Sequence, residues 1–193
     1  MNRERRATWE ERHRGATPGD PEPSVIEMLP LLLPGSALDI AAGTGRNAIA
    51  LARAGWRVVA VDFSLAGMQT LAEVARRDNL SISMAVADLE ESFPFRPNAF
   101  DLILNVSYLD RSLVPGLKSA LRPGGAILFD TFLIDEADEA SHGHLRDKRF
   151  TLDHYELRTL LGGLELMRYR EGLVVYPNGK RAWRGTALAR RGN

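Results

Sequence analysis

The segment 37–48, "ALDIAAGTGRNA", constrains this chain more than any other. A short apolar run, Ala37 to Ala41, leads into Gly43 and Gly45 and then into a helix-forming stretch. That order describes a buried strand, a tight turn and a helix start. Glycine lets the backbone turn sharply and lets a ligand approach where a Cβ would block it. The helix behind it offers unpaired N–H groups. Gly43, Gly45 and Ala48 also satisfy the dinucleotide fingerprint, whose third position accepts alanine. Asp62 ends the next strand-like run, "RVVAVD". A carboxylate there can accept both hydroxyls of an adenosine ribose. NAD and S-adenosylmethionine (SAM) share that need, so the loop and Asp62 leave both cofactors open.

Apolar strands alternate with helices on both sides of this loop. Strands are expected at Ala37–Ala41, Arg57–Val61, Ile82–Val86, Phe100–Leu104 and Ala126–Phe129. Helices are expected at Ser24–Leu33, Asn47–Ala54, Leu65–Arg77 and Val114–Leu121. Such alternation predicts a parallel sheet covered on both faces, with ligands bound beyond the strand C-termini. The end of the chain differs. A helix at Asp153–Leu161 precedes two strand-like runs, Leu164–Val175 and Arg181–Ala189, joined by Pro177-Asn178-Gly179, a hairpin signal. The expected fold class is α/β, a doubly wound, mostly parallel seven-stranded sheet with a C-terminal antiparallel hairpin. One domain over 1–193 is expected: an N-terminal helical segment 1–35, a cofactor-binding half 37–130 and an acceptor-side part 131–193.

Three features favour SAM over NAD. Asp39 lies inside the first strand, where the dinucleotide fingerprint wants an apolar residue and where a carboxylate is costly unless paired. Asp88-Leu89 follows the third strand, and an acid there can accept from an adenine amino group. The C-terminal hairpin has no counterpart in the ordinary dinucleotide fold.

The pieces "LDIAAGTGRNAIALA", "VVAVDFS", "VADLE", "FDLILN" and "LRPGG", in this order, resemble the class I, Rossmann-like SAM-dependent methyltransferases. The resemblance implies that Ala41 to Gly45 wrap the methionine part of SAM, with Asp39 and Asn47 beside them. It implies that Asp62 binds the ribose, that Phe63 packs on adenine, and that Asp88 and Leu89 sit at the adenine edge. Asn105 would face the cofactor near the transferred methyl. "WEERHRG" is similar to the family's N-terminal Trp-x-x-Arg segment, which implies Arg12 as partner of the SAM carboxylate. Read from the residues alone, Trp9 and Arg12 equally suit an ordinary amphipathic helix. "YLDRSLVPGLKSALRPGGAILFDTF" with "RFTLDHYELRTLLGGLELMRYREG" resembles the tellurite-resistance-type methyltransferase group, a likeness that leaves the acceptor undefined.

Tyr108, Asp110 and Arg111 follow the fourth strand and are candidates for the acceptor side; Arg111 could hold an oxyanion or pair with Asp110. Phe132 could wall the pocket. Asn105 and Tyr108 have the Asn-x-x-Tyr spacing of amino-methylating enzymes, without the prolines expected between them. No catalytic residue is assigned, because the cofactor's methyl is already activated. His142 and His144 lie in the acidic stretch 135–149, expected as a solvated loop or lid; no metal site is expected there. His13 and His154 are expected at the surface, and Arg3, Arg5, Arg6, Arg190 and Arg191 in solvated termini.

Composition bounds the partners. The 193 residues carry zero net formal charge, which argues against nucleic acid or anionic membrane as a partner. Cysteine is absent, so disulfides and thiolate chemistry, including methylation of metalloids held by protein thiolates, are excluded. No apolar run approaches a membrane span and no signal peptide is recognisable, so a cytoplasmic location is expected. Without a large insertion, the expected partner is a small-molecule methyl acceptor, a metalloid oxyanion or thiol-like compound among the options. An NAD-dependent oxidoreductase and a non-catalytic SAM-binding module are the alternatives.

Overall fold

The computed structural model describes residues 3–134 and 149–192. Seven strands form one sheet in the order β3-β2-β1-β4-β5-β7-β6. β1 (Ser36–Ile40), β2 (Arg57–Asp62), β3 (Ile82–Val86), β4 (Phe100–Val106) and β5 (Leu121–Phe132) run parallel. β7 (Arg181–Arg190) is antiparallel to both β5 and β6 (Glu165–Val175). Chain order reverses direction across the sheet between β1 and β4, which creates a crevice at their C-terminal ends.

Alternation along the strands divides the core. Leu38, Ile40, Ile103, Ile127 and Phe129 face α5 (Val114–Ala120) and α6 (Glu156–Leu160), meeting Leu117 and Leu157. Ala37, Ala60, Leu102, Leu104 and Leu128 face the other way. There they meet Val25 and Met28 of α2 (Pro23–Met28), Ala48 and Leu51 of α3 (Arg46–Arg53), and Met68 and Leu71 of α4 (Leu65–Arg77). Both faces of the sheet are therefore apolar and covered, as a parallel sheet requires.

The boundaries differ from the sequence expectation where local chemistry overrides periodicity. Pro30 cuts the expected helix 24–33 into α2 and a single 3-10 turn, Leu29–Leu31. Pro123-Gly124-Gly125 does not precede β5 but bulges within it. Leu121 pairs with Phe100 and Ala126 with Leu102, so β5 advances five residues while β4 advances two. The N-terminal stretch is a helix, α1 (Arg3–His13), rather than a solvated tail. Arg191 is likewise held, donating to Asn98 Oδ1 at 2.7 Å. The hairpin forms as expected: Gly179 adopts φ +78°, and Gly179 N–H donates to Tyr176 O at 2.9 Å. The stretch carrying His142 and His144 lies outside the described residues.

At the C-terminal edge, β7 contributes Arg184, buried to 1% exposure. Its Nε donates to Asp130 Oδ1 at 2.6 Å and its Nη2 to Ser107 Oγ at 3.0 Å. Thr186 Oγ1 donates to the other Asp130 oxygen at 2.8 Å. Removing one partner of a buried ion pair strands the other charge, which costs about 3–5 kcal/mol. Asp130→Ala is therefore expected to lower stability by about that amount in urea unfolding. Asp130→Ala combined with Arg184→Met should recover most of the loss; additive losses in the double variant would show that the two side chains act separately.

Candidate functional site

Three backbone positions within five residues take left-handed geometry after β1: Ala41 (φ +50°), Gly43 (φ +57°) and Gly45 (φ +85°). Ala41 bears a Cβ there, at a cost of roughly 1–2 kcal/mol. Gly45 could not: a Cβ would lie 2.4 Å from Leu71 Cδ1 of α4. The same close approach explains Gly67, in the first turn of α4. A Cβ on Gly67 would stand 2.6 Å from Gly43 O. The glycine loop is thus pressed directly against a helix start.

Asp62 fixes this packing. Its Oδ2 accepts from Gly43 N–H at 2.8 Å and its Oδ1 from Ser64 N–H at 2.8 Å. Ser64 in turn caps α4, accepting from Gly67 N–H at 3.1 Å. Each Asp62 oxygen keeps a lone pair beyond the one it uses. Burial raises the Asp62 pKa, and the Ser64 and Gly43 N–H groups oppose that shift without cancelling it.

Asp39 is more deeply buried, at 1% exposure, on the face toward α3. Its Oδ2 has no hydrogen-bond partner among the described residues. Burial pushes its carboxyl up to about 7, against the opposing pull of the Ala48 backbone N–H and of Arg46. Asn105, opposite Ile40 on β4, is equally buried, and its Oδ1 also lacks a partner among the described residues. Two buried side-chain oxygens without a partner among the described residues thus lie near the C-terminal ends of β1 and β4.

A small groove gathers Ala41, Asp62, Phe63, Asp88, Leu89 and Tyr108 around about 20 Å³. These include the expected ribose and adenine residues. Tyr108, expected on the acceptor side, also lines this groove. Asp88 Oδ1 accepts from Glu90 N–H at 3.0 Å, and Arg6 Nη2 lies 3.3 Å from Asp88 Oδ2. A larger cleft of about 1,240 Å³ lies between the 15–21 stretch and the outer surfaces of α3 and α4. It contains none of the acids expected for the cofactor.

Other expected residues are placed differently. Arg12 is exposed and stacks on Trp9, 4.8 Å from its ring centroid, as the amphipathic-helix reading has it. The α1 residue that meets the glycine loop is His13; a Cβ on Gly43 would be 3.2 Å from its Nε2. His13 is thus half-buried rather than a surface residue. Asn47 Oδ1 accepts from Glu22 N–H at 2.9 Å, which anchors the chain ahead of α2. Arg111 pairs with Glu156, Nη2 to Oε2 at 2.9 Å, and donates to Thr151 O at 3.1 Å; Asp110 instead caps the following turn through Ser112 N–H. Phe132 lies beneath the Arg184 guanidinium at 4.6 Å. His154, exposed as expected, sits 2.8 Å from Glu171.

Sequence reasoning missed Glu22, Tyr176, Asp130 and Arg184. Glu22 is buried, accepts from Tyr176 Oη at 2.7 Å and from Arg46 Nη2 at 2.7 Å, and lies 3.9 Å from Arg184. A glutamate between two prolines was the available signal, since "PEP" fixes the backbone around a single charge. Its partners carried none.

The raised Asp39 pKa has a stability consequence. A carboxyl whose folded pKa exceeds its unfolded value stabilises the fold fully below the unfolded pKa, here 3.8, and loses that contribution as pH rises through about 7. Within that window the slope approaches about 1.4 kcal/mol per pH unit. Urea unfolding of the ligand-free protein and of Asp39→Asn across this range is expected to show stability falling more steeply in the parent; parallel curves would place the Asp39 titration elsewhere.

The likeness to known proteins is consistent with this geometry. Residues 37–125 match a family model described as a methyltransferase domain. The chain is 28% identical over 155 residues to hemagglutinin 1 of Eikenella corrodens, covering 78% of this chain and 50% of that protein. It is 33% identical over 109 residues to the ribosomal protein L11 methyltransferase of Thermus thermophilus, covering 55% of this chain and 42% of that one. The chain thus spans half or less of the length of these curated relatives. Among solved structures, TehB from Haemophilus influenzae superposes with a TM-score of 0.77 at 22% identity, over 89% of this chain and 62% of that one. The Burkholderia thailandensis 1,6-didemethyltoxoflavin-N1-methyltransferase, with bound 1,6-didemethyltoxoflavin and S-adenosylhomocysteine, gives 0.63 at 19%, over 89% and 80%. Residues 37–125 are thus a methyltransferase domain, and the sheet around it has the fold of the solved SAM-dependent methyltransferases.

Proposed function

We propose that the protein transfers a methyl group from SAM to a small, uncharged acceptor, and that the groove between Asp62 and Asp88 holds the adenosine. One observation carries the cofactor placement: Asp62 is bonded to the glycine loop itself, so ribose acceptor and loop form a single rigid unit. The unsatisfied oxygens extend it. Asp39 Oδ2 suits the ammonium of the methionine end, and Asn105 Oδ1 lies on β4, toward the strands that build the acceptor side. Positions 43, 45 and 67 let the loop, α4 and His13 pack together, which fixes the loop's backbone beside Asp62.

The cofactor, when bound, supplies a sulfonium methyl that needs no further activation. The protein's part is to hold the acceptor in line with it, at about 3–3.5 Å, and to exclude water. In this reading the wall is made by Asn105 and Ser107 at the β4 end and by Phe132, backed by the Arg184–Asp130 pair of the neighbouring strands. Arg184 is balanced by Asp130 and Glu22, and Arg111 by Glu156. Cations engaged in this way favour an uncharged amine, thiol or hydroxyl over a metalloid oxyanion. The Arg111 contacts give it a latch role between the β4 loop and α6 in place of acceptor binding. No helix among the described residues is long and apolar enough to cross a membrane, and the zero net charge supports a small acceptor over nucleic acid.

Asp62→Ala is expected to weaken S-adenosylhomocysteine binding roughly 10- to 150-fold by calorimetry, the loss of a charge-assisted hydrogen bond of about 1.5–3 kcal/mol. Unchanged affinity would remove Asp62 from the site. With a panel of acceptors and product S-adenosylhomocysteine as readout, uncharged nucleophiles should turn over and selenite or tellurite should not; turnover restricted to the oxyanions would reverse the acceptor assignment.

A further inference from the structure

Ser107 follows β4 in a conformation that its own side chain makes costly. It adopts φ +58°, in the left-handed region that residues with a Cβ avoid. Its N–H, which donates to Asp130 O at 2.8 Å, holds it there. Five non-glycine residues among those described have positive φ. Asn79 and Asn98 are of a type that tolerates it. Tyr155 lies ahead of α6, and Ala41 lies in the glycine loop after β1. Ser107 is the counterpart of Ala41 on the adjoining strand, since Ile40 pairs with Asn105. Glycine would take this backbone without strain, so the serine side chain calls for a reason. Strain of this kind collects at ligand sites.

That side chain has one partner among the described residues: Ser107 Oγ accepts from Arg184 Nη2 at 3.0 Å. Arg184 is buried and is fixed from other directions. Its Nε donates to Asp130 Oδ1 at 2.6 Å, its Nη2 donates to Asp130 O at 3.3 Å, and the Phe132 ring centroid lies 4.6 Å from its guanidinium carbon. Arginine carries donors only, so the serine oxygen must accept and its proton points away from the guanidinium. No acceptor meets that proton among the described residues. Ser107 is exposed, so solvent could serve Arg184 in its place. An oxygen that accepts from a cation also makes its own O–H a stronger donor.

We propose that Ser107 is an acceptor-binding residue, whose hydroxyl donates to the methyl acceptor and selects molecules with a carbonyl oxygen or ring nitrogen beside the nucleophile. The inference rests on the reading of the β4 and β5 ends as the acceptor wall. An amine nitrogen has a single lone pair, and that pair must stay free to attack the methyl. Such an acceptor meets the serine donor through a second atom. Arg184 keeps the hydroxyl oriented, and the strained backbone keeps it at the strand end.

The test uses the full chain, SAM and six probes: aniline, thiophenol and phenol, and the same three with a carboxamide ortho to the nucleophile. Product S-adenosylhomocysteine is the readout. The parent is expected to favour the carboxamide member of at least one pair roughly two- to tenfold in kcat/KM, the range of one neutral hydrogen bond. Ser107→Ala and Ser107→Gly should lose that preference and keep the parent's S-adenosylhomocysteine affinity in calorimetry. A preference absent from the parent, or unchanged in both variants, overturns the assignment. If the parent turns over no probe, the acceptor reading fails and takes the inference with it, while S-adenosylhomocysteine binding would leave the cofactor groove standing. Urea unfolding separates function from fold. Ser107→Ala should unfold near the parent, and Ser107→Gly at higher urea than Ser107→Ala, because glycine alone relieves the backbone. An alanine variant that unfolds at clearly lower urea than the parent would make Ser107 a structural partner of Arg184 and overturn its acceptor role.

Discussion

The two hydrogen bonds accepted by Asp62 tie three parts of the chain to one carboxylate. β2 ends on it, the glycine loop closes onto its Oδ2, and α4 begins under its Oδ1. Most of the local geometry follows from that point. The loop must approach α4 closely enough that Gly45 and Gly67 exclude side chains. Ala41 is driven into left-handed backbone by the same turn. A buried carboxylate is expensive unless hydrogen-bonded, and here the bonds that offset its burial are also those that shape the loop.

The other polar concentration, at the β5–β7 edge, has a different logic. Arg184 is sealed between Asp130, Glu22, Ser107 and the ring of Phe132. Charges buried together in this way add little to stability over apolar packing of the same volume, but they define where each strand end must sit. Their position at the C-terminal ends of β5 and β4 sets them apart from the groove around Asp62 and Asp88; in the proposed reading they back the acceptor side.

The parallel half of the sheet was legible because its signals are local. Apolar runs, the glycine loop and the acids closing β2 and following β3 each lie within a few residues of the feature they determine; Asp62, Phe63, Asp88 and Leu89 line one groove, and Asp39 lies inside β1. The misreadings came from competition that periodicity does not encode. Pro30 shortened a helix, and the β4 register absorbed Pro123-Gly124-Gly125 into β5 as a bulge. Arg12 and His13 are adjacent, and only the rotation of α1 against α4 decides which one reaches the loop. Arg111 was open to an oxyanion in the sequence, whereas Glu156, 45 residues on, takes its guanidinium. Arg184 gave no warning: its partners come from β4, β5 and the stretch before α2, and nothing in "AWRGTALAR" marks a buried charge.

The two sides of the crevice also differ in how far apart their members lie along the chain. Gly43 and Asp62 are separated by 19 residues, and Glu22 and Tyr176 by 154. Closing a short loop costs less chain entropy than closing a long one, and contacts between remote segments form more slowly. During synthesis the loop around Asp62 can assemble before the C-terminal hairpin is made, whereas the tyrosine clasp on Glu22 waits until residue 176 has been added. Folding order thus sets a sequence of competence: on the proposed reading, a grip on the methyl donor comes before a wall against which a nucleophile could be held.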